Sequence, residues 1–252
     1  MIKIGTAGIG SDLKLIYNEG IKAAEVEFVR GIYIDNEKAK LIGEQAKYLD
    51  FELSVHAPYF INLNSDDKFK VHASKNRVIQ SCERANFLNA KNVVFHAGFY
   101  GKMSKEQTFQ NIKQIILELQ ETLKEKEIKV NLCPEVMGKI NVFGSFEEIM
   151  QLVKDTKCSF CLDLAHLKAR NLGKINYEDY IKQVKSFKHI HCHYSGIEWT
   201  DKGEKKHILV DLKEAKEIFT LLKEYKINST IICESTDPLN DAIKMNKIIS
   251  IL

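Results

Sequence analysis

At 252 residues, with 44% hydrophobic and 28% charged residues, the chain holds enough apolar material for one large core or two small ones. A net charge of +3 excludes nucleic-acid binding driven by bulk charge, so any such contact needs a local basic face. No apolar run approaches the roughly 20 residues that span a bilayer, and MIKIGTAGIG carries no basic-then-apolar leader, which predicts a cytoplasmic protein without a membrane partner.

Along the chain, strand-like runs stand at 2–7, 23–29, 51–56, 92–97, 129–135, 158–163, 188–194 and 229–234. Helical patterns, charged on one face and apolar on the other, lie between them, at 36–49, 69–89, 104–126, 211–224 and 238–251 among others. Ser145 with Glu148 reads as a capping box opening the helix SFEEIMQLV, and Asn176 with Asp179 marks the start of NYEDYIKQV. Only three prolines occur, and no linker interrupts the alternation, so residues 1–252 read as one domain. Near-continuous apolar strands alternating with amphipathic helices indicate a parallel α/β sheet, and eight units predict a closed (β/α)8 TIM barrel. An open doubly wound sheet is the weaker alternative, because GTAGIG has the wrong glycine spacing for a dinucleotide-binding turn. The six cysteines, at 82, 133, 158, 161, 192 and 233, fall mostly inside strand-like runs and predict buried thiols in a reducing compartment.

A parallel barrel collects the C-terminal ends of all its strands on one face. Here those ends carry His56, His96, Glu135, Asp163 with His166 just beyond, His191 with His193, and Glu234. A lone strand-end residue of this kind more often caps a helix or satisfies a loop, and Asp163 alone reads as an N-cap. Six consecutive strands delivering such groups to one rim point to a shared cause, a metal site. Mixed imidazole and carboxylate donors suit zinc, with manganese or iron as further options. They exceed what one ion needs, so two or three ions bridged by a carboxylate are expected, a device suited to displacement at phosphorus.

With these residues in hand, the chain resembles the endonuclease IV family of zinc-dependent abasic-site endonucleases over essentially its full length. SVHAPYFINLNS and FCLDLAHLKARN are the most specific matches; FHAGFYG, CPEVMG, HCHYSG and CEST follow in the family's order. The resemblance implies a TIM barrel that cleaves damaged double-stranded DNA 5′ to an abasic site, leaving a 3′-hydroxyl and a 5′-deoxyribose phosphate. It assigns His56 and His96 to one zinc and makes Glu135 the catalytic, bridging carboxylate. Asp163, His191 and Glu234 complete a second zinc, and His166 and His207 serve a third. Tyr59 matches an aromatic that reaches the DNA beside the lesion, and Arg30 is a looser match to a DNA-penetrating residue. A monomer is the simplest expectation for a barrel whose one face wraps DNA.

Two points depart from that pattern or stay open. The family has Asp-x-His at the third place, whereas GEKKHI puts Lys205 where the Asp is expected, with Glu204 adjacent. His191 and His193 share a strand face, and HCHYS favours His191 as the ligand. His72 and His189 read as structural; Lys205, Lys206 and Trp199 are candidate nucleic-acid contacts. Two further readings compete: a metal-dependent sugar isomerase or epimerase on the same barrel, and a binding-only barrel that has lost part of its cluster.

Overall fold

The computed structural model describes residues 1–10 and 12–252. Eight parallel strands form the barrel: β1 (Ile2–Ala7), β2 (Ala23–Glu27), β3 (Glu52–His56), β4 (Asn92–Phe95), β5 (Asn131–Pro134), β6 (Cys161–Asp163), β7 (Ile190–Tyr194) and β10 (Ser229–Cys233). Their order is β5-β4-β3-β2-β1-β10-β7-β6. The open edges meet through a parallel bridge between Glu135 and Cys161, with Val136 N–H donating to Cys161 O, so the cylinder closes. This is the expected TIM barrel.

Helices α2 (Asn36–Tyr48), α3 (Lys68–Phe87), α4 (Lys105–Glu125), α5 (Phe146–Thr156), α7 (Tyr177–Val184), α8 (Leu212–Glu224) and α9 (Pro238–Ile251) follow the sequence pattern within a few residues. In α4 the buried set Thr108, Ile112, Ile116, Leu119 and Leu123 recurs every three to four residues, as one stripe against the strands requires. The Ser145–Glu148 capping box is formed, and Asn176 caps α7. Two short helices, α1 (Leu13–Asn18) and α6 (Leu164–Arg170), lie below the length at which periodicity shows. All six cysteines are buried and free. Among the described residues, no helix is long and apolar enough to cross a membrane.

The alternation of parallel strands explains how polar groups come to stand inside. In β7 every residue is buried, yet Ile190, Cys192 and Tyr194 join the outer core under the helices, while His191 and His193 point the other way. Val94, Cys133 and Cys161 form a separate apolar floor within the barrel. One step further along those strands stand His96, Glu135 and Asp163.

An antiparallel hairpin, β8 (Gly196–Thr200) and β9 (Gly203–Ile208), is inserted between β7 and α8. No strand-like run marks this stretch in the sequence. It packs against α6, where Trp199 lies so close to Gly173 that a side chain there would collide with the indole. Lys168 Nζ sits over the same ring. Trp199 therefore anchors the hairpin.

Candidate metal centre

Glu135 stands one residue beyond β5 at the middle of the rim and is 1% exposed. Its Oε2 lies 3.0 Å from His96 Nε2 and 3.4 Å from His56 Nε2. Its Oε1 lies 3.2 Å from His166 Nδ1 and 3.3 Å from His193 Nδ1. The two oxygens thus face two different sets of donors, the geometry of a bridging carboxylate.

Around it, three groups bring their ligand atoms within 4.8 Å of one another: His56–His96–Glu135, Glu135–Asp163–His193–Glu234, and His166–Glu204–His207. Three of the imidazoles are held by a partner behind them. His56 Nδ1 donates to Ala57 O at 2.7 Å, leaving Nε2 turned to the cleft. His166 Nδ1 donates to Val136 O at 3.0 Å, which leaves its Nε2 turned to Glu204 Oε2 at 3.4 Å. His207 Nδ1 meets Ser195 Oγ at 2.8 Å. Such backing fixes tautomer and direction before a cation arrives.

Asp163 caps α6 and also faces the centre. Its Oδ1 accepts from His166 N–H as the N-cap of α6, and its Oδ2 is turned inward. Among the described residues, Asp163 Oδ2, His166 Nε2 and both ring nitrogens of His193 are buried without a hydrogen-bond partner. Buried polar atoms are seldom left so unless an ion or water serves them. The donor set therefore fits divalent cations.

The two histidines of β7 change places relative to expectation. His193 joins Glu135, Asp163 and Glu234, its Nδ1 3.2 Å from Glu234 Oε1. His191 lies one layer deeper, where its Nε2 meets Glu25 Oε2 at 3.0 Å. Glu25 Oε1 meets His193 Nε2 at 2.9 Å, so one carboxylate at the barrel floor holds both rings. Residue parity could not separate the two histidines; the register against β6 does, with His191 opposite Cys161 and His193 opposite Asp163.

The acidic member of the third group is Glu204. In β9, Glu204 pairs with Trp199 and Lys206 pairs with Glu198, so Lys205 is the extra residue of a β-bulge. Residues three apart on a regular strand face opposite sides; the bulge brings Glu204 and His207 to the same side. Gly138 makes room, since a Cβ there would stand 2.7 Å from Glu204 Cβ and 3.0 Å from His166 Cδ2. Lys205 and Lys206 turn outward and pair with Glu198.

Sequence reasoning missed Glu25, Glu27 and Lys139. Glu27 ends β2 opposite His56, and its ligand atoms cluster with those of Glu25 and Glu234. The signal was present as two acids at i and i+2 in the apolar run AAEVEFV. Lys139 lines the cleft above the rim, a space of about 390 Å³. Tyr59 stacks on His96 with ring centroids 5.5 Å apart and remains half exposed at the mouth. Arg30 is exposed in the loop after β2, which is tied to the Tyr59 loop by Tyr59 N–H donating to Val29 O.

Charge and burial oppose each other across the centre. Burial works to raise Glu135, but His96, His166, His193 and His56 hold it well below the usual carboxylate range. Burial would lower His56, yet Glu135 and Glu27 push it up to about 10. Burial raises Asp163 to about 7 and Glu27 to about 8, with neighbouring carboxylates adding in each case.

The chain is similar to several known proteins. The model of the xylose isomerase-like TIM barrel family matches residues 13–247. An uncharacterized protein of Methanocaldococcus jannaschii is 32% identical, covering 98% of this chain and 96% of its own. A probable endonuclease 4 of Mesomycoplasma hyopneumoniae is 28% identical over 138 residues, 53% of this chain and 48% of that protein, so the likeness to it spans about half of each. Among solved structures, endonuclease IV from Thermus thermophilus superposes with a TM-score of 0.71 at 17% identity, covering 99% and 98% of the two chains. A D-tagatose 3-epimerase-like protein gives 0.76 at 20% identity, covering 98% and 96%. At those identities the superpositions speak for the fold alone. The matched span and the closed eight-stranded barrel lead to one assignment: the chain belongs to the xylose isomerase-like TIM barrel family.

Proposed function

We propose that this protein is a metal-dependent endodeoxyribonuclease that hydrolyses the phosphodiester 5′ to abasic sites in double-stranded DNA. The observation that carries this reading is a pair of ligand groups that share Glu135, with a third, His166–Glu204–His207, beside them in one cleft. A single-cation enzyme would use only Glu135, Asp163, His193 and Glu234, and would have no work for His56, His96, His166 and His207. Imidazole and carboxylate donors together favour zinc, with manganese or iron also compatible.

Divalent cations bound there would acidify water and offset the charge that builds at phosphorus. The chain's own residues do the rest. Glu135 presents one oxygen to each side of the centre, so a phosphate seated above it meets both sets of donors at once. Lys139 adds positive charge to the cleft wall where a DNA backbone would lie. Tyr59, braced on His96, offers its exposed face to the gap left by a missing base, and Arg30 stands on the adjoining loop. An abasic nucleotide lacks stacking and pairing, so turning it into the cleft costs less than flipping an intact one.

A sugar epimerase is the second reading, favoured by the self-sufficient four-residue group around His193. The two are separated by incision of an end-labelled duplex with one tetrahydrofuran abasic analogue, before and after chelation and with zinc or manganese restored. Metal-dependent cutting immediately 5′ to the analogue, leaving a 3′-hydroxyl, is expected. No cutting by protein that carries two or more metals per chain would discard the nuclease reading.

A further inference from the structure

Beside the metal cleft lies a second, larger one of about 530 Å³ that the proposed chemistry does not use. Tyr59 and Phe99 form the wall between the two and line both. Phe60 and Phe69 stand on the far side with 62% and 88% of their surfaces exposed, an unusual outlay of bare aromatic rings for a protein surface. Lys70 and Arg77, both on α3, supply its charge.

The walls are tied together. Asn62 N–H donates to Ser74 Oγ at 3.0 Å, Phe99 N–H to Asn62 Oδ1 at 3.3 Å, and Arg77 Nη1 to Phe60 O at 3.2 Å. Three separate segments, the loop after β3, the first turns of α3 and the loop after β4, are thereby held in one shape. A preformed aromatic cleft continuous with a catalytic cleft is a substrate subsite by default. Flat apolar faces combined with cationic side chains match a base and its phosphate, the pairing used by proteins that bind single-stranded nucleic acid.

We infer that this cleft takes one unpaired nucleobase of the DNA, stacked against Phe69, while Lys70 and Arg77 meet the adjoining phosphates. The inference rests on the nuclease reading and deepens it: the substrate is engaged with at least one intact base out of the helix in addition to the abasic sugar at the metals. Phe69, at the surface, serves binding alone.

The test uses metal-loaded protein and duplexes whose scissile linkage is a non-hydrolysable methylphosphonate. A single 2-aminopurine is placed 5′ to, 3′ to, or opposite the tetrahydrofuran site. The expected result is a large change in emission at one of the three positions on binding. Phe69→Ala should abolish that change and weaken binding by about ten- to hundredfold, since stacking is the main contribution lost. Lys70→Ala should weaken binding and lower the slope of log affinity against log salt by about one. Tight binding and incision with no response at any position, or a response unchanged in Phe69→Ala, would overturn the subsite and leave the nuclease reading standing. Failure to bind or cut any abasic duplex would overturn both. If Phe69→Ala instead removes a concentration-dependent dimer and leaves the fluorescence unaltered, the face belongs to a second copy of the chain and the inference fails.

Discussion

Replacing Glu25 with glutamine tests the claim that His193 is aimed from below. Glu25 is fully buried; its Oε2 accepts from His191 Nε2 at 3.0 Å, and its Oε1 lies 2.9 Å from His193 Nε2 as a charged contact. Glutamine keeps the shape but offers one acceptor oxygen and an NH₂ that meets the second ring N–H donor to donor. One charged contact to a ring nitrogen is lost, which costs roughly 1.5–3 kcal/mol. Loss of a partner behind a ligating histidine also lowers metal affinity by about 10- to 100-fold. Glu25→Ala is harsher: unpairing a buried ionic group costs about 3–5 kcal/mol, a large share of the roughly 5–15 kcal/mol that holds a domain folded.

The pH dependence of the metal-free protein follows from the two shifts. Burial would raise Glu25, but His193 and His191 hold it well below 4.5, so its contribution is present above that value and lost as pH falls through the folded value. Burial would lower His193, but nearby acids, Glu234 and Glu25 among them, lift it well above 6.5; its contribution is complete below 6.5 and fades as pH rises through the folded value. The penalty of Glu25→Gln should therefore be greatest between about pH 4.5 and 6.5. Urea unfolding of metal-free protein across pH, with chelator competition for affinity, measures both effects. Glutamine protein with unchanged stability and unchanged metal affinity would refute the role given to Glu25.

Other consequences are open to direct measurement. With His56 pushed up to about 10 and Asp163 to about 7, loading a cation must expel protons, so calorimetry at pH 7 in buffers of different ionisation enthalpy should show at least one released per chain. Affinity should then rise about tenfold per pH unit for each proton released; no release would contradict the charge balance described. Glu204→Ala should remove one bound metal by mass spectrometry or atomic absorption while sparing the groups around His56 and His193. Gly138→Ala should drive the hairpin from His166 at a cost of about 1–3 kcal/mol, with loss of that same metal.

Most of the barrel was readable because the periodicity that makes strands and helices pack is written in the residues themselves. The strand-end positions of His56, His96, Glu135, Asp163 and Glu234 needed only strand count and direction. The choice between His191 and His193 needed the register of β7 against β6, which one strand's sequence does not carry. The β8–β9 hairpin stayed hidden because the Lys205 bulge breaks the alternation that betrays a strand. Glu204 stayed uncertain for the same reason: a motif defined by fixed spacing fails when an inserted residue is absorbed by backbone geometry. Glu27 was overlooked because an acid at the end of an apolar strand looks like the approach of a loop.

The barrel also has a seam. Its seven other junctions are strand pairings that run over two to five residues, whereas β5 and β6 meet at the single bridge of Glu135 with Cys161. The residue at that junction is the carboxylate shared by two of the ligand groups, and Asp163 sits just across it. Cations held by Glu135, Asp163, His193 and Glu234 would work as a clasp, joining β5, β6, β7 and β10 where the backbone holds least. Hydrogen exchange near residues 131–136 and 161–163 should then slow on metal loading more than elsewhere in the sheet, and the cylinder's closure becomes a gauge of its readiness to act.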